Sequence, residues 1–263
     1  MKRLHLFEWE DQEWMPISIR NYITDFLQFL SNKFKIYDPI APILAKAMLA
    51  SHTNQMIDLA SGGGGGLISL NEALRKMVPN LKIWLTDYFP NIPAFEYTKK
   101  QADNIDYVST SVDARNVPKD LKGLRTQFLS LHHFRPSDAQ KILQTAVDAN
   151  QSIAIFEVQE RSITSFISTL FSPIMVLLTT PFIRPFKLGR IVFTYIIPIV
   201  PLIVLWDGMV SILRTYSVAE MQALVDQLTH KDRFDWEIRR LKTKRGVVLY
   251  LLGTDKLKHQ EVS

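Results

Sequence analysis

MIDLASGGGGGL (residues 56–67) decides how the rest of this chain is read. Its first half is a short apolar run ending in Asp58, and its second half holds five of the chain's ten glycines, residues 62–66. Glycine permits positive φ and lets another group come close to the backbone. The next residues, GLISLNEALRKM (66–77), carry apolar side chains at helical spacing. The stretch is therefore strand, loop and helix, with the free N–H groups and partial positive charge of a helix N-terminus facing the loop. Nucleotide, phosphate and flavin sites all use such a loop, so alone it does not choose among them. A Walker loop is excluded, because no Lys-Ser/Thr pair follows the glycines.

Working outward, short apolar runs alternate with amphipathic ones. QMIDLA (55–60), LKIWLTD (81–87), DYVSTS (106–111), QFLSLHH (127–133) and SIAIFEV (152–158) read as strands. NIPAFEYTKKQA (91–102) and PSDAQKILQTAVDA (136–149) read as helices between them. This alternation predicts an α/β domain with a doubly wound, mostly parallel, Rossmann-like sheet. SVAEMQALVDQLT (217–229) is a further helix, opened by a Ser217/Glu220 capping box. FDWEIRRL and GVVLYLLG, joined through KTKR, form a closing antiparallel pair. Residues 1–54 are expected to be a helical cap. ISIRNYITDFLQFL would place Ile17, Ile19, Tyr22, Phe26, Leu27 and Leu30 on one face, and Asp38 would cap a second helix before Pro39. The expected organisation is cap 1–54, cofactor-binding core 55–161, apolar insertion 162–207, and the last helix and strands of the same core over 208–263.

The acids sharpen the ligand. Asp58 ends the first strand, where a carboxylate repels a pyrophosphate but suits an amino group or a positive centre. Asp87 ends the second strand, where an acid can accept both ribose hydroxyls. Asp113-Ala114 follows the third strand, within reach of an adenine amine. Three acids at successive strand ends converge on the crevice where such sheets bind ligands. Each has a plain alternative: Asp87 as a helix cap before Pro90, Asp113 as a turn acid, Asp58 as local capping. A nicotinamide dehydrogenase also stays open, although its glycine motif lacks the preceding acid.

Asp58-Leu-Ala-Ser-Gly62-Gly-Gly64 resembles motif I of the class I S-adenosylmethionine-dependent methyltransferases of small-molecule type. Ala60 stands where the first motif glycine is expected. The resemblance implies that S-adenosylmethionine is the cofactor. Asp87 with Tyr88 would hold the ribose, Asp113 and Ala114 the adenine, and Asp58 the methionine end through water or its amine. Ala60, Ser61, Gly62, Gly64 and Leu131 would line the remainder. QFLSLHHF (127–134) is similar to the fourth-strand motif of many of these enzymes.

Methyl transfer from a sulfonium is an in-line displacement in which a protein mainly aligns the reactants and excludes water. A base helps when the acceptor is a hydroxyl or a protonated amine. His132 and His133 are the first candidates, since histidine titrates near neutrality, and Glu157 is the second. The alternative is that the histidines only shape the pocket. Arg214 and Tyr216 either bind a substrate headgroup or cap the junction after the insertion. His5, His52, His230 and His259 lack ligand spacing, so no metal is expected.

Composition completes the reading. The chain has 263 residues, no cysteine, a formal charge of +5 and 47% hydrophobic residues. That excludes a disulfide scaffold, a thiolate metal site and a cysteine nucleophile. The basic run RRLKTKR (239–245) lacks aromatic interleaving, so nucleic acid is not an expected partner. The start, MKRLHLFEWEDQEW, is no signal peptide, and a cytoplasmic protein is expected. Mean hydropathy is +0.02, and the apolar excess sits in one place. Residues 162–183 carry no charge, and residues 191–206 carry none either. Prolines break the second run, which suits an element lying in a membrane surface better than a straight span. Arg184, Lys187 and Arg190 between the runs are expected at anionic headgroups on the inner face of a membrane. A lid over the pocket, a dimer surface and true spans are the alternatives, and the oligomeric state stays open. The expected activity is methyl transfer to an apolar or amphipathic small molecule: a lipid, quinone, isoprenoid or aromatic metabolite. The rival is a non-catalytic, membrane-recruited binding protein of the same fold.

Overall fold

The computed structural model describes residues 1–244 and 246–256; Arg245 of the expected KTKR turn and His259 lie outside the described residues. Seven strands form one sheet: β1 (Gln55–Asp58), β2 (Lys82–Leu85), β3 (Ile105–Tyr107), β4 (Leu124–Phe128), β5 (Ile153–Glu157), β6 (Phe234–Thr243) and β7 (Gly246–Asp255). Their order is β3-β2-β1-β4-β5-β7-β6. The first five run parallel, while β7 pairs antiparallel with both β5 and β6. The order reverses between β1 and β4, which opens the ligand crevice at their carboxyl ends.

The helices are α1 (Ile17–Lys33), α2 (Ala41–Ala50), α3 (Leu67–Leu74), α4 (Ile92–Lys99), α5 (Pro136–Asp148), α6 (Ile163–Leu170), α7 (Ser172–Thr179), α8 (Leu188–Ile191), α9 (Ile199–Arg214) and α10 (Val218–Asp226). Successive side chains on a strand point to opposite faces, so one strand serves two cores. Met56 joins α2 and α3 through Leu44, Met48, Leu70 and Leu74, whereas Ile57 joins the core of α5 and α10. On β7, Tyr250 and Leu252 face the first core, and Leu249 and Leu251 the second. Each fully buried Leu or Ile contributes roughly 1.5–3 kcal/mol, so both faces hold the sheet. The Ser217/Glu220 capping box forms as expected.

The N-terminal cap differs from expectation. Residues 1–16 are not helical but run as a strap along α9, held by polar ties. Leu4 N–H donates to the Leu213 carbonyl, and the Asp207 carboxylate accepts from the N–H groups of Trp9 (2.9 Å) and Glu10 (3.1 Å). Glu8 and Asp11 of EWEDQEW (8–14) are spent on ion pairs with His133 and Arg214, while Glu13 and Trp14 stay exposed. Ile17 is exposed, and the buried face of α1 is Ile19, Tyr22, Ile23 and Phe26. Asp38 begins a 3-10 turn (Asp38–Ile40), and α2 starts only at Ala41, so Asp38 is not its cap.

In the first arm of the insertion α6, α7 and a closing 3-10 turn (Thr180–Phe182) follow end to end over Ile163–Phe182, a 20-residue apolar run long enough by length and composition to cross a bilayer. The second arm bends by 78° between Leu188–Ile196 and Ile199–Arg214. Its inner side packs on α1, where Val176, Ile183, Val200 and Val204 meet Ile19, Tyr22, Ile23 and Phe26. Its outer side is apolar and open: Ile163 is 75% exposed, Leu178 63%, Leu188 70% and Ile196 73%. Two of its three cations are not free for headgroups. Lys187 Nζ lies 2.8 Å and Arg190 Nη1 2.6 Å from Oδ2 of the fully buried Asp25 on α1. The Arg190 guanidinium also donates to the carbonyls of Ile183 and Pro185. These cations latch the insertion to the cap, since a buried charge requires a partner. Arg184 alone of the three has no acidic partner among the described residues, and it binds carbonyls of its own turn.

Candidate active site

A cavity of about 440 Å³ opens at the carboxyl ends of the strands. Its floor is the glycine loop between β1 and α3, and its roof is the strap with α1. The loop is built for close approach as well as for ligand contact. A Cβ on Gly63 would lie 2.8 Å from the Thr24 carbonyl of α1, and one on Gly66 would lie 2.5 Å from the Tyr37 ring. Part of the glycine run is therefore explained by packing of the cap onto the loop. Ala60 adopts φ +56, a left-handed conformation that suits the glycine expected there better than alanine.

Asp87 lies at the carboxyl end of β2, on the crevice. It lines the cavity and accepts from the N–H groups of Gly62 and Phe89, each at 2.7 Å. Burial raises its pKa, against those two hydrogen bonds. Each carboxylate oxygen keeps a further lone pair for a ligand. Asp113 also lines the cavity, but its carboxylate is engaged by the Arg115 guanidinium, with Nη2 at 2.9 Å. Both partners are about one-third exposed, so the pair is easily exchanged for a ligand. Ala60, Ser61, Gly62, Tyr88 and Ala114 stand on the wall. Gly64 and Leu131 do not.

Asp58 also sits off the wall. It is buried beneath the loop, accepts from the Thr126 hydroxyl at 3.0 Å, and is pushed by burial up to about 7. Its backbone carbonyl ties the strand end to Thr86 and Ser61. At the strand end the side chain points towards β4, under the turn, so it would reach a methionine end only through an intervening group such as water.

The two histidines separate. His132 and His133 lie in a 3-10 turn (Leu131–His133) after β4, with rings 4.3 Å apart. His132 is buried behind the wall, its Nδ1 2.9 Å from Oε2 of Glu157, which is itself wholly buried. Glu157 therefore orients His132 and cannot touch a ligand in the cavity. His133 faces the cavity, its Nδ1 2.8 Å from Asp11 Oδ1 and 2.9 Å from Glu8 Oε2. Burial works against its charge, but Glu8 and Asp11 outweigh it and raise its pKa well above 6.5. Asp11 lies correspondingly low: burial opposes, while hydrogen bonds from His133 and Arg214 prevail.

Sequence reasoning missed the strap's contribution. Glu8, Glu10, Asp11 and Glu13 come from four acids interleaved with Trp9 and Trp14, a pattern too acidic for a simple helical face. Burial, then the nearby Asp207, pushes Glu10 up to about 8, and burial pushes Asp207 up to about 7. Arg20 of α1 adds a cation on the wall, with its guanidinium 4.2 Å from the Phe89 ring centroid and hydrogen bonds to the Glu10 and Gln12 carbonyls. Arg214 is buried on Glu8, Asp11 and the Leu6 carbonyl, while the Tyr216 hydroxyl donates to the Phe134 carbonyl. Neither residue lines the cavity, and both tie the junction to the strap or to the turn after β4.

No family model and no curated protein matches this sequence. Solved structures do. PigF crystallised with SAH is similar with a TM-score of 0.52 and 16% identity, over 95% of this chain and 62% of that one. Human N-acetylserotonin methyltransferase in complex with SAM gives a TM-score of 0.48 and 15% identity, over 88% of this chain. An O-methyltransferase family protein from Burkholderia thailandensis gives 0.47 and 14%, over 83% of this chain. This chain spans 55% and 56% of the lengths of the latter two. The likeness to PigF shows the fold, a seven-stranded Rossmann-like sheet whose last strand pair is antiparallel.

Proposed function

We propose that the chain is an S-adenosylmethionine-dependent methyltransferase acting on an amphipathic small molecule, at a membrane surface. The observation that carries the cofactor is the cavity at the strand reversal, with Asp87 and Asp113 on its wall and the glycine loop as its floor. Asp87 would hold the ribose hydroxyls, Asp113 and Ala114 the adenine edge, and the glycine loop the methionine portion. The cofactor supplies a methyl group on a positive sulfur. The chain's own residues align the acceptor and exclude water, which the strap and α1 do by roofing the cavity. His133, held charged between Glu8 and Asp11, is the group on the wall suited to orient an acceptor by donating a hydrogen bond, and His132 with Glu157 lies behind it. Several charged residues line the cavity, among them Glu10, Asp11, Glu13, Arg20 and His133, which calls for an acceptor with a polar end.

Membrane contact rests on the outer face of the insertion. Monomeric proteins rarely expose apolar patches above a few hundred Å². No residue of the insertion lines the cavity, which argues against its being a lid. Its inner side is bound to α1, which favours an element lying in the interface over one that leaves the domain to cross the bilayer.

Calorimetric titration of the purified chain with S-adenosylmethionine tests the first claim. Binding in the micromolar range supports it, and absence of binding leaves the non-catalytic reading. Flotation with vesicles tests the second. Lysine at the exposed Ile163, Phe171 and Leu178 is expected to abolish flotation without lowering thermal stability. A chain that stays soluble, monomeric and unbound to vesicles refutes the membrane claim.

A further inference from the structure

We propose that Glu8, His132 and His133 form a site for one divalent transition-metal ion of the zinc type, set into the wall beside the transfer cavity. One carboxylate oxygen and one ring nitrogen from each histidine lie within 4.8 Å of one another. Zinc bonds to such donors are about 2.0–2.2 Å long, so small side-chain rotations bring all three onto one point. Two histidines and one carboxylate are a donor set that leaves a fourth position open.

The surroundings of the donors fit an ion. Glu8 Oε2 is buried and held by two cationic side chains, His133 Nδ1 at 2.9 Å and Arg214 Nη1 at 3.2 Å, so it stands where positive charge is already required. His132 is already held as a metal-binding histidine is held. Its Nδ1–H donates to Glu157, which places the lone pair on Nε2 and fixes the ring. The carboxylates of Glu8, Asp11 and Glu157 flank the two rings. A bound dication takes the place of the proton on His133, because a ligating imidazole is neutral. Arg214 retains Asp11 when Glu8 turns to the ion.

His133 lies on the cavity wall, so the open position faces the cavity and admits water or an acceptor hydroxyl. That last assignment rests on the methyltransferase reading; the ion site itself does not. Spacing in the sequence could not show the site, because Glu8 arrives from the strap and the histidines from the end of β4.

The test uses the full chain, freed of metal by a chelator and titrated calorimetrically with zinc alone. One ion per chain is expected. Glu8→Gln should weaken binding at least about tenfold, and Glu157→Gln about 10–100-fold through the loosened His132. Circular dichroism checks that the variants fold. Should a variant unfold, cobalt bound to the unaltered chain decides: an intense tetrahedral visible spectrum is expected. No binding, a weak octahedral spectrum, or binding indifferent to Glu8 and Glu157 overturns the site. Cofactor titration of the same sample is a separate readout. Cofactor binding without zinc binding removes only the ion site, and zinc binding without cofactor binding removes only the methyl-transfer reading.

Discussion

Replacing Asp25 by alanine strips Arg190 and Lys187 of their shared counter-ion. Arg190 is 1% exposed and Asp25 fully buried, so the guanidinium cannot turn to water without moving the insertion off α1. Removing one partner of a buried ion pair typically costs about 3–5 kcal/mol. Two carbonyls, of Ile183 and Pro185 at 2.8 Å each, still receive Arg190, which argues for the lower end of that range. At about 2–4 °C per kcal/mol for a domain of this size, a loss of about 3 kcal/mol lowers Tm by about 6–12 °C. The assay is chemical and thermal denaturation of the unaltered chain and Asp25→Ala at low and high salt. A buried pair is only weakly screened, so the difference should persist in salt. A stability change below about 1 kcal/mol, or one abolished by salt, marks an exposed pair and refutes the latch. It would leave both cations free on the surface of the insertion.

Other expectations follow from the same geometry. Asp87→Ala removes two acceptors from the cavity and the tie to Gly62, and should weaken S-adenosylmethionine binding at least about tenfold, one charge-assisted hydrogen bond being worth about 1.5–3 kcal/mol; unchanged affinity in calorimetry removes its ribose role. Gly66→Ala sets a methyl 2.5 Å from the Tyr37 ring and should lower stability by about 1–3 kcal/mol in denaturant titrations. Ala60→Gly relieves the φ +56 strain and should be neutral or stabilising by up to about 1 kcal/mol, strain relief exceeding the added unfolded-state entropy. Stability should fall as pH rises from 4.5 towards 8, because across that window folded Glu10 keeps a proton that the unfolded chain has lost. His133 acts in the same direction above its ordinary 6.5. Glu10→Gln should flatten the decline in denaturation midpoints measured across that range. Vesicle binding should depend little on anionic lipid, since Lys187 and Arg190 are already paired; flotation with neutral and anionic vesicles checks this.

Local patterns made the core legible. Asp58, the glycines and Asp87 declare themselves by position relative to strand ends, because a parallel strand and its following helix place their junction at the crevice. The capping box at Ser217 and the alternation of β7 are equally local. Residues whose partners are distant were not legible. EWEDQEW reads as the start of a helical cap, yet its acids answer Arg214, His133 and the end of α9. The cations of the insertion read as free because no acid lies near them in sequence, while Asp25 waits on α1. Asp58 and Glu157 read as site acids, yet both are turned into the protein by the strand on which they sit.

The sequence by itself determined the sheet, the crevice and the two unlike parts behind a mean hydropathy of +0.02: a mixed-polarity α/β domain and an apolar insertion. Periodicity and strand-end position suffice for these, since they depend on neighbours in the chain. Only the tertiary structure decided which polar groups face the cavity. Burying a charge is costly unless a partner meets it, and partners here come from segments far apart in sequence. The strap thus became the roof of the site, Asp25 the latch of the insertion, and Glu8 the neighbour of two histidines.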